Sequence, residues 1–195
     1  AEDDFKSMQE NFLTSRCRLA EVKGKDGAIM DFLCAVLGAR ESVDKLYDQS
    51  FSPKFKNMLS AYVKAVNKYA QTHPEKVWIE DAFPVTEKDV IVGYTIGLAL
   101  MTNVPFAIMK ISDGTIEHPA ISTPHGSNGF AVNGNKSIDG NTYLGINSHQ
   151  PLEGPYSWYE AHLHSEEGWN ILGATFPGGV TIFYGLYKNL GWAHT

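Results

Sequence analysis

The sequence predicts an α+β chain, helical in its first half and antiparallel β in its second. Residues 1–100 hold 13 of the 16 basic and 15 of the 22 acidic side chains, and apolar residues recur there at the three-and-four spacing of amphipathic helices. From Pro105 onward charge thins out. Short apolar runs then alternate with turns rich in Gly, Asn and Pro, the pattern of paired strands. At 195 residues the chain is long enough for one domain with a sizeable core, or for a helical part and a β-rich part in contact.

In order, residues 1–21 read as a helix with Phe5, Met8, Phe12, Leu13 and Leu19 on one face. The stretch Lys23-Gly24-Lys25-Asp26-Gly27 breaks it, with Asp26 available as the next cap. A second helix runs through Met30, Phe32, Leu33, Val36 and Leu37 to Gly38, with a short continuation from Ser42 to Tyr47. Ser52-Pro53 opens a third helix, a Ser cap followed by Pro in the first turn. Its stripe of Phe55, Met58, Leu59, Tyr62, Val63, Val66 and Tyr69 reads as core packing, and His73-Pro74 ends it. After a turn-rich link from Trp78 to Pro84, Thr86 caps a fourth helix that carries Glu87 and Asp89 in its first turn, where the helix dipole favours acids. That helix continues to Leu100; Gly93 and Gly97 in it serve either close backbone approach or simply weaken it.

Beyond Pro105, Asp113-Gly114 is a turn signal, and Ile116 to Thr123 is polar, held extended by Pro119 and Pro124. Strands are predicted at Phe130–Gly134, Tyr143–Ile146, Trp158–His164, Ile171–Thr175 and Val180–Tyr184, with a last one beginning at Gly191. Asn135 to Asn141 is a polar loop with a turn at Asp139-Gly140, and Pro177-Gly178-Gly179 separates two strands. The segments implied are a helical part over 1–104, an extended linker over 105–126 and the start of an antiparallel β part over 127–195, together forming one incomplete domain.

Composition excludes some classes. A net charge of −6, with no run of Lys and Arg, argues against a nucleic-acid surface. No apolar stretch approaches membrane-spanning length. Ala1 opens no Met-led, basic-then-apolar segment, so any leader is expected to have been removed or to lie outside this sequence. Cys17 and Cys34 lack CxxC partners and read as small buried hydrophobes rather than as halves of a disulfide.

The chemistry concentrates in Pro124-His125-Gly126-Ser127-Asn128-Gly129-Phe130 and in Asn147-Ser148-His149-Gln150-Pro151. A small Gly precedes a Ser, and a His follows 22 positions later, past a hairpin-like stretch. Cutting the Gly126–Ser127 bond gives Ser127 a free α-amine beside its own hydroxyl. Nucleophile and general base then belong to one residue. Asn128 serves either as a turn former or as a support for the scissile loop.

These stretches come in an ordered set. Gly126-Ser127-Asn128-Gly129-Phe130, Asn147-Ser148-His149, Trp158-Tyr159-Glu160-Ala161-His162-Leu163, Gly173-Ala174-Thr175-Phe176-Pro177-Gly178 and Leu190-Gly191-Trp192-Ala193-His194-Thr195 resemble, in sequence and order, the penicillin acylase family, which includes cephalosporin, aculeacin and acyl-homoserine-lactone acylases. The resemblance is strong over 124–195 and looser before. It implies the N-terminal nucleophile hydrolase fold, four layers in αββα order, and self-cleavage between Gly126 and Ser127. It further implies that Ser127 attacks an acyl-amide carbonyl, with its α-amine as base, near pKa 7.7–8.0 when unperturbed (about the working pH). His149 matches the position where cephalosporin-type and homoserine-lactone-type members carry a His that orients the Ser. Phe130, Tyr156, Trp158 and Phe176 serve either as an acyl pocket or as core. The family's oxyanion donors, the N–H just after Thr195 and a distant Asn, fall outside this sequence, as do its calcium ligands. No cofactor is therefore expected in this segment, calcium only in the full-length parent, and the remaining acylase chain is an expected partner. Family members are mostly exported, which implies a periplasmic or extracellular setting.

Two rival readings stand beside this. Glu160, His162 and His164 alternate along one strand, so that with His149 the chain offers a metal-dependent hydrolase site, or else these residues only support the sheet. A relative that keeps the fold as a binding module is the other. Thr175-Phe176-Pro177-Gly178-Gly179 lacks the Lys and the helix of a phosphate loop and reads as a β-turn. Because oxyanion stabilisation commonly supplies several kcal/mol, the purified segment 1–195 alone is expected to show no acyl-amide turnover; measurable release of amine from a chromogenic amide would contradict this.

Overall fold

The computed structural model describes residues 1–102, 104, 107, 108, 110, 114 and 126–195. The chain divides into two compact units, Ala1–Pro119 and Ala120–Thr195. Most of the linker expected over 105–126, with Pro119, Pro124 and His125, lies outside the described residues.

The first unit is helical: α1 (Phe5–Ser15), α2 (Ala20–Lys23), α3 (Lys25–Leu37), α4 (Ala39–Ser50), α5 (Pro53–Thr72) and α6 (Glu87–Leu100), with single 3-10 turns at Pro74–Lys76 and Glu80–Ala82. The single helix expected over 1–21 is instead two. Asp4 caps α1 by accepting from Ser7 N–H, and the chain turns at Cys17, whose φ is 54°. Asp31 then accepts from the N–H groups of both Leu19 and Ala20, at 2.8 and 2.9 Å, satisfying donors that a new helix start exposes. Asp26 is not a cap; it sits in the first turn of α3 behind Gly24. Gly38, left-handed at φ 60°, ends α3, and α4 extends further in both directions than Ser42–Tyr47. The caps of the two longest helices are as the sequence predicts. Ser52 accepts from Phe55 N–H with Pro53 at the first position, and Thr86 with Asp89 forms a full capping box.

Packing follows the stripes. Helix α6 contacts α1, α4 and α5, burying Val90, Val92 and Ile96 with Leu13 and Leu59. On α5 the buried positions are Leu59, Val63, Val66 and Ala70, while Met58 faces outward. Phe5 meets the Tyr69 ring edge-on at 5.0 Å. At the centre lies Asp89, only 2% exposed. Its carboxylate accepts from Arg16 at 2.7 and 3.2 Å and from Arg40 at 2.5 Å, as well as from the Thr86 backbone. Arg16 also donates to the carbonyls of Ala82 and Pro84, and Arg40 to that of Ser15. One buried carboxylate thus joins α1, α4, α6 and the link before α6.

The second unit is antiparallel β. Strands β1 (Asn128–Val132) and β2 (Tyr143–Asn147) form a two-stranded sheet, and β3 (Tyr159–Ser165), β4 (Trp169–Thr175), β5 (Tyr184–Tyr187) and β6 (Leu190–Trp192) form a four-stranded sheet in chain order. Asp139 stabilises the β1–β2 connection by accepting from Asn141 and from the Tyr143 hydroxyl. The strand expected at Val180–Tyr184 starts only at Tyr184. The preceding residues follow a tight turn closed by Gly179 N–H to the Phe176 carbonyl at 2.7 Å, and Ile182 crosses the face of the sheet. A methyl group added at Gly173 would lie 2.5 Å from Ile182 Cγ2. The two sheets touch where a Cβ on Gly129 would meet Ala193 and Thr195 at 3.5 and 3.6 Å.

Burial alone would raise the Asp89 pKa, but its hydrogen bonds to Arg16, Thr86 and Arg40 outweigh that and hold it at about 2. The unfolded value is about 3.9, so the stabilisation is complete above about pH 4 and disappears as pH falls through 2. Asp89→Asn is expected to cost on the order of 3 kcal/mol at pH 7 by leaving two guanidinium groups without their counter-ion. Urea denaturation should show that difference shrinking between pH 4 and 2.

Candidate active site

The site begins with strand register. Asn128 pairs with Asn147, Phe130 with Gly145 and Val132 with Tyr143. Continuing that ladder one step beyond Asn128 sets Ser127 against Ser148. Across this step the Ser127 hydroxyl donates to the Ser148 carbonyl at 2.7 Å. Ser127 is half-buried and Gly126 exposed.

His149 follows directly. Its φ of 47° is left-handed, uncommon for a residue with a side chain. The Asn147 carboxamide accepts from its N–H at 3.3 Å, closing an Asx-type turn at the end of β2. The His149 side chain is exposed, and the Ser127 hydroxyl bonds to the peptide carbonyl before it rather than to its imidazole.

Three of the four aromatics singled out in the sequence converge. Trp158 stacks on Phe176, with centroids 4.7 Å apart and rings 11° from parallel, and Tyr156 meets Phe176 edge-on at 5.9 Å. Phe183 and Tyr184 join the group, at 5.0 Å from Phe176 and 4.7 Å from Trp158 respectively. Sequence reasoning did not single out these two, because a strand seemed to run through them. Phe130 stands elsewhere: it is 66% exposed, and its ring covers Gly145 across the β1–β2 ladder. The Trp158 indole N–H donates to the Ser148 hydroxyl, and the Tyr184 hydroxyl donates to the His194 carbonyl at 2.7 Å.

The metal reading gains no geometric support. Glu160, His162 and His164 lie along exposed β3, but the ring of His162 is engaged by Asn170 at 2.6 Å. Among the described residues no three His, Cys, Asp or Glu side chains converge as a ligand set. Cys34 is buried and Cys17 half-buried, both as free thiols; burial pushes the Cys34 thiol up to about 12. No helix among the described residues is long and apolar enough to cross a membrane.

A helical unit followed by antiparallel sheets, with a Gly–Ser pair at the head of the first strand and a His at the end of the second, defines an α+β protein. The chain belongs to the penicillin amidase family, whose model matches residues 1–195. Among known proteins it is similar to the acyl-homoserine lactone acylase PvdQ of Pseudomonas fluorescens strain Pf0-1, with 24% identity over 89% of this chain and 25% of that protein. The enzyme of the same name from Pseudomonas syringae pv. tomato is 36% identical over 36% of this chain and 9% of its own length. The chain therefore spans about a quarter of the first of these relatives.

The His149 backbone supplies a direct test. Glycine adopts φ near 47° without penalty, whereas a β-branched residue there costs about 1–2 kcal/mol. His149→Gly is expected to fall within about 0.5 kcal/mol of the parent, relief of strain offsetting added unfolded-state freedom. His149→Val should be destabilised by the larger amount, as read by chemical denaturation.

Proposed function

We propose that this chain is the nucleophile-bearing segment of an N-terminal serine amidohydrolase with the αββα architecture. The observation that carries the reading is the Ser127 hydroxyl, half-buried at the head of β1 and held 2.7 Å from the Ser148 carbonyl, at the Gly–Ser pair on which the family resemblance rests. In the continuous chain the Ser127 nitrogen is an amide and cannot act as a base. Maturation supplies the base. Ser127 Oγ attacks the Gly126 carbonyl carbon, the Gly126–Ser127 C–N bond breaks, and the hydroxyl proton passes to the departing nitrogen. The resulting ester is hydrolysed by water, leaving a Gly126 carboxylate and a Ser127 that carries both α-amine and hydroxyl.

In the mature protein the α-amine takes the Ser127 hydroxyl proton as Oγ attacks an acyl-amide carbonyl. It then delivers that proton to the leaving amine, and water releases the acyl group from Ser127. His149, next to the carbonyl that receives the Ser127 hydroxyl, is assigned the orienting of the Ser127 α-amine once cleavage frees it, since its exposed imidazole does not bond to the hydroxyl in the continuous chain. Tyr156 and Trp158, half-buried and packed against the buried Phe176 ring, offer an apolar surface for the acyl group. Phe130 is too far out on the β1–β2 ladder to share in that stack.

The substrate class is an acyl-amide: a β-lactam side chain, a lipopeptide or an acyl-homoserine lactone, the last in keeping with the names of the relatives. The full protein acts with the remaining acylase polypeptide as partner, outside the cytoplasm.

Intact mass of the full-length product tests the reading. Wild type is expected as two pieces separated at Gly126–Ser127, and Ser127→Ala as one uncut chain. A single uncut, folded wild-type chain would favour a binding relative of the same fold instead.

A further inference from the structure

Ser148 contacts both halves of the candidate site through two different groups. Its backbone carbonyl accepts the Ser127 hydroxyl at 2.7 Å, and its own hydroxyl accepts the indole N–H of Trp158. The peptide unit carrying that carbonyl is held at its other end as well, since the His149 N–H donates to Asn147 at 3.3 Å. Rotation of this peptide plane would swing the carbonyl away from Ser127. Trp158 is in turn fixed by Phe176 beneath it and by Tyr184 edge-on, both at 4.7 Å.

Any residue at 148 would supply a carbonyl. The side-chain hydroxyl of Ser148 also gives the half-buried indole N–H an acceptor, which an alanine there would not. We propose that Ser148 is a positioning residue that ties Ser127 to the Trp158 aromatic group, so that the surface contacting the acyl chain and the attacking oxygen are held in one register. The proposal rests on Ser127 being the nucleophile. It makes Trp158 part of the alignment of the nucleophile as well as part of the apolar surface, through a single hydrogen bond.

The test uses the intact polypeptide that carries this chain, with a chromogenic acyl-amide as substrate and nitrogen-15 labelling of the indole groups. Ser148→Ala is expected to lower kcat about tenfold with little change in KM, the signature of lost alignment rather than lost binding. Ser148→Thr, which keeps the hydroxyl, should restore kcat to within about threefold. Trp158→Phe keeps a ring on Phe176 but lacks the N–H, and should resemble Ser148→Ala. The double variant should be no worse than either single one, because both remove the same link. The Trp158 indole N–H signal should shift in Ser148→Ala and stay in place in Ser148→Thr.

A wild type that is cut and active, with Ser148→Ala matching it in kcat or adding fully to Trp158→Phe, overturns this proposal and leaves the assigned function standing. An unmoved indole signal in Ser148→Ala overturns it equally. An uncut and inert wild type overturns the reading of Ser127, and the proposal with it.

Discussion

The pairing of Asn128 with Asn147 is the constraint on which the site depends. Side chains alternate along a strand, so a slip of one residue in the β1–β2 ladder would turn each of them to the other face. Ser127 would then meet neither the Ser148 carbonyl nor the backbone leading to His149. Several local features hold this register. Phe130 covers Gly145 across the ladder, the Asp139–Tyr143 bond secures the turn end of β2, and the Asx turn at Asn147 fixes the end from which His149 departs. Together they fix which atoms of β2 and the turn after it face Ser127.

In the helical unit a comparable part is played by a charge. Two arginines and a capping-box backbone converge on buried Asp89, and the arginines also donate to the carbonyls of Ala82, Pro84 and Ser15. A buried ion pair is rarely worth more than well-packed hydrocarbon. Its geometry here has another effect: it joins elements far apart in sequence, α1 and α4 with α6, at one oriented point. Apolar packing, being non-directional, fixes such orientations less sharply. Neighbouring α3 shows the contrast, with Ile29, Phe32 and Val36 each more than half exposed.

What the sequence disclosed divides by range. Ser52-Pro53 and Thr86 with Asp89 announced their helices because a cap is a local matter, settled within four residues. The helical-then-β order was legible for the same reason, through spacing and turn residues. The break at Cys17 was not, because the groups that support it, the Asp31 carboxylate on the N–H groups of Leu19 and Ala20, come from eleven and twelve residues away. Val180–Phe183 alternate as a strand would, yet the turn at Phe176–Gly179 sends them across the sheet before pairing resumes at Tyr184. In the site, Ser127 and His149 stood out as chemical types at a suggestive spacing. Ser148 did not, since both its contacts are tertiary, and Phe130 could not be separated from the other aromatics until the ladder showed what it covers.

Under the proposed reading, the Ser127–Ser148 bond also explains how a nucleophile can be held without reacting at random. A peptide carbonyl is a good acceptor of a hydroxyl hydrogen bond and a very poor acceptor of the proton itself. It can aim Ser127 Oγ and leave a lone pair free, but it cannot generate the alkoxide. Activation must come from a group with a pKa near ambient pH, and in the uncut chain Ser127 has none of its own. The freed amine supplies one on the same residue, at a distance fixed by covalent geometry, so cleavage need not rebuild the site to switch it on. Orientation thus belongs to the ladder and basicity to the new chain end. Keeping the two separate lets the fold be complete around the nucleophile before the reaction that arms it.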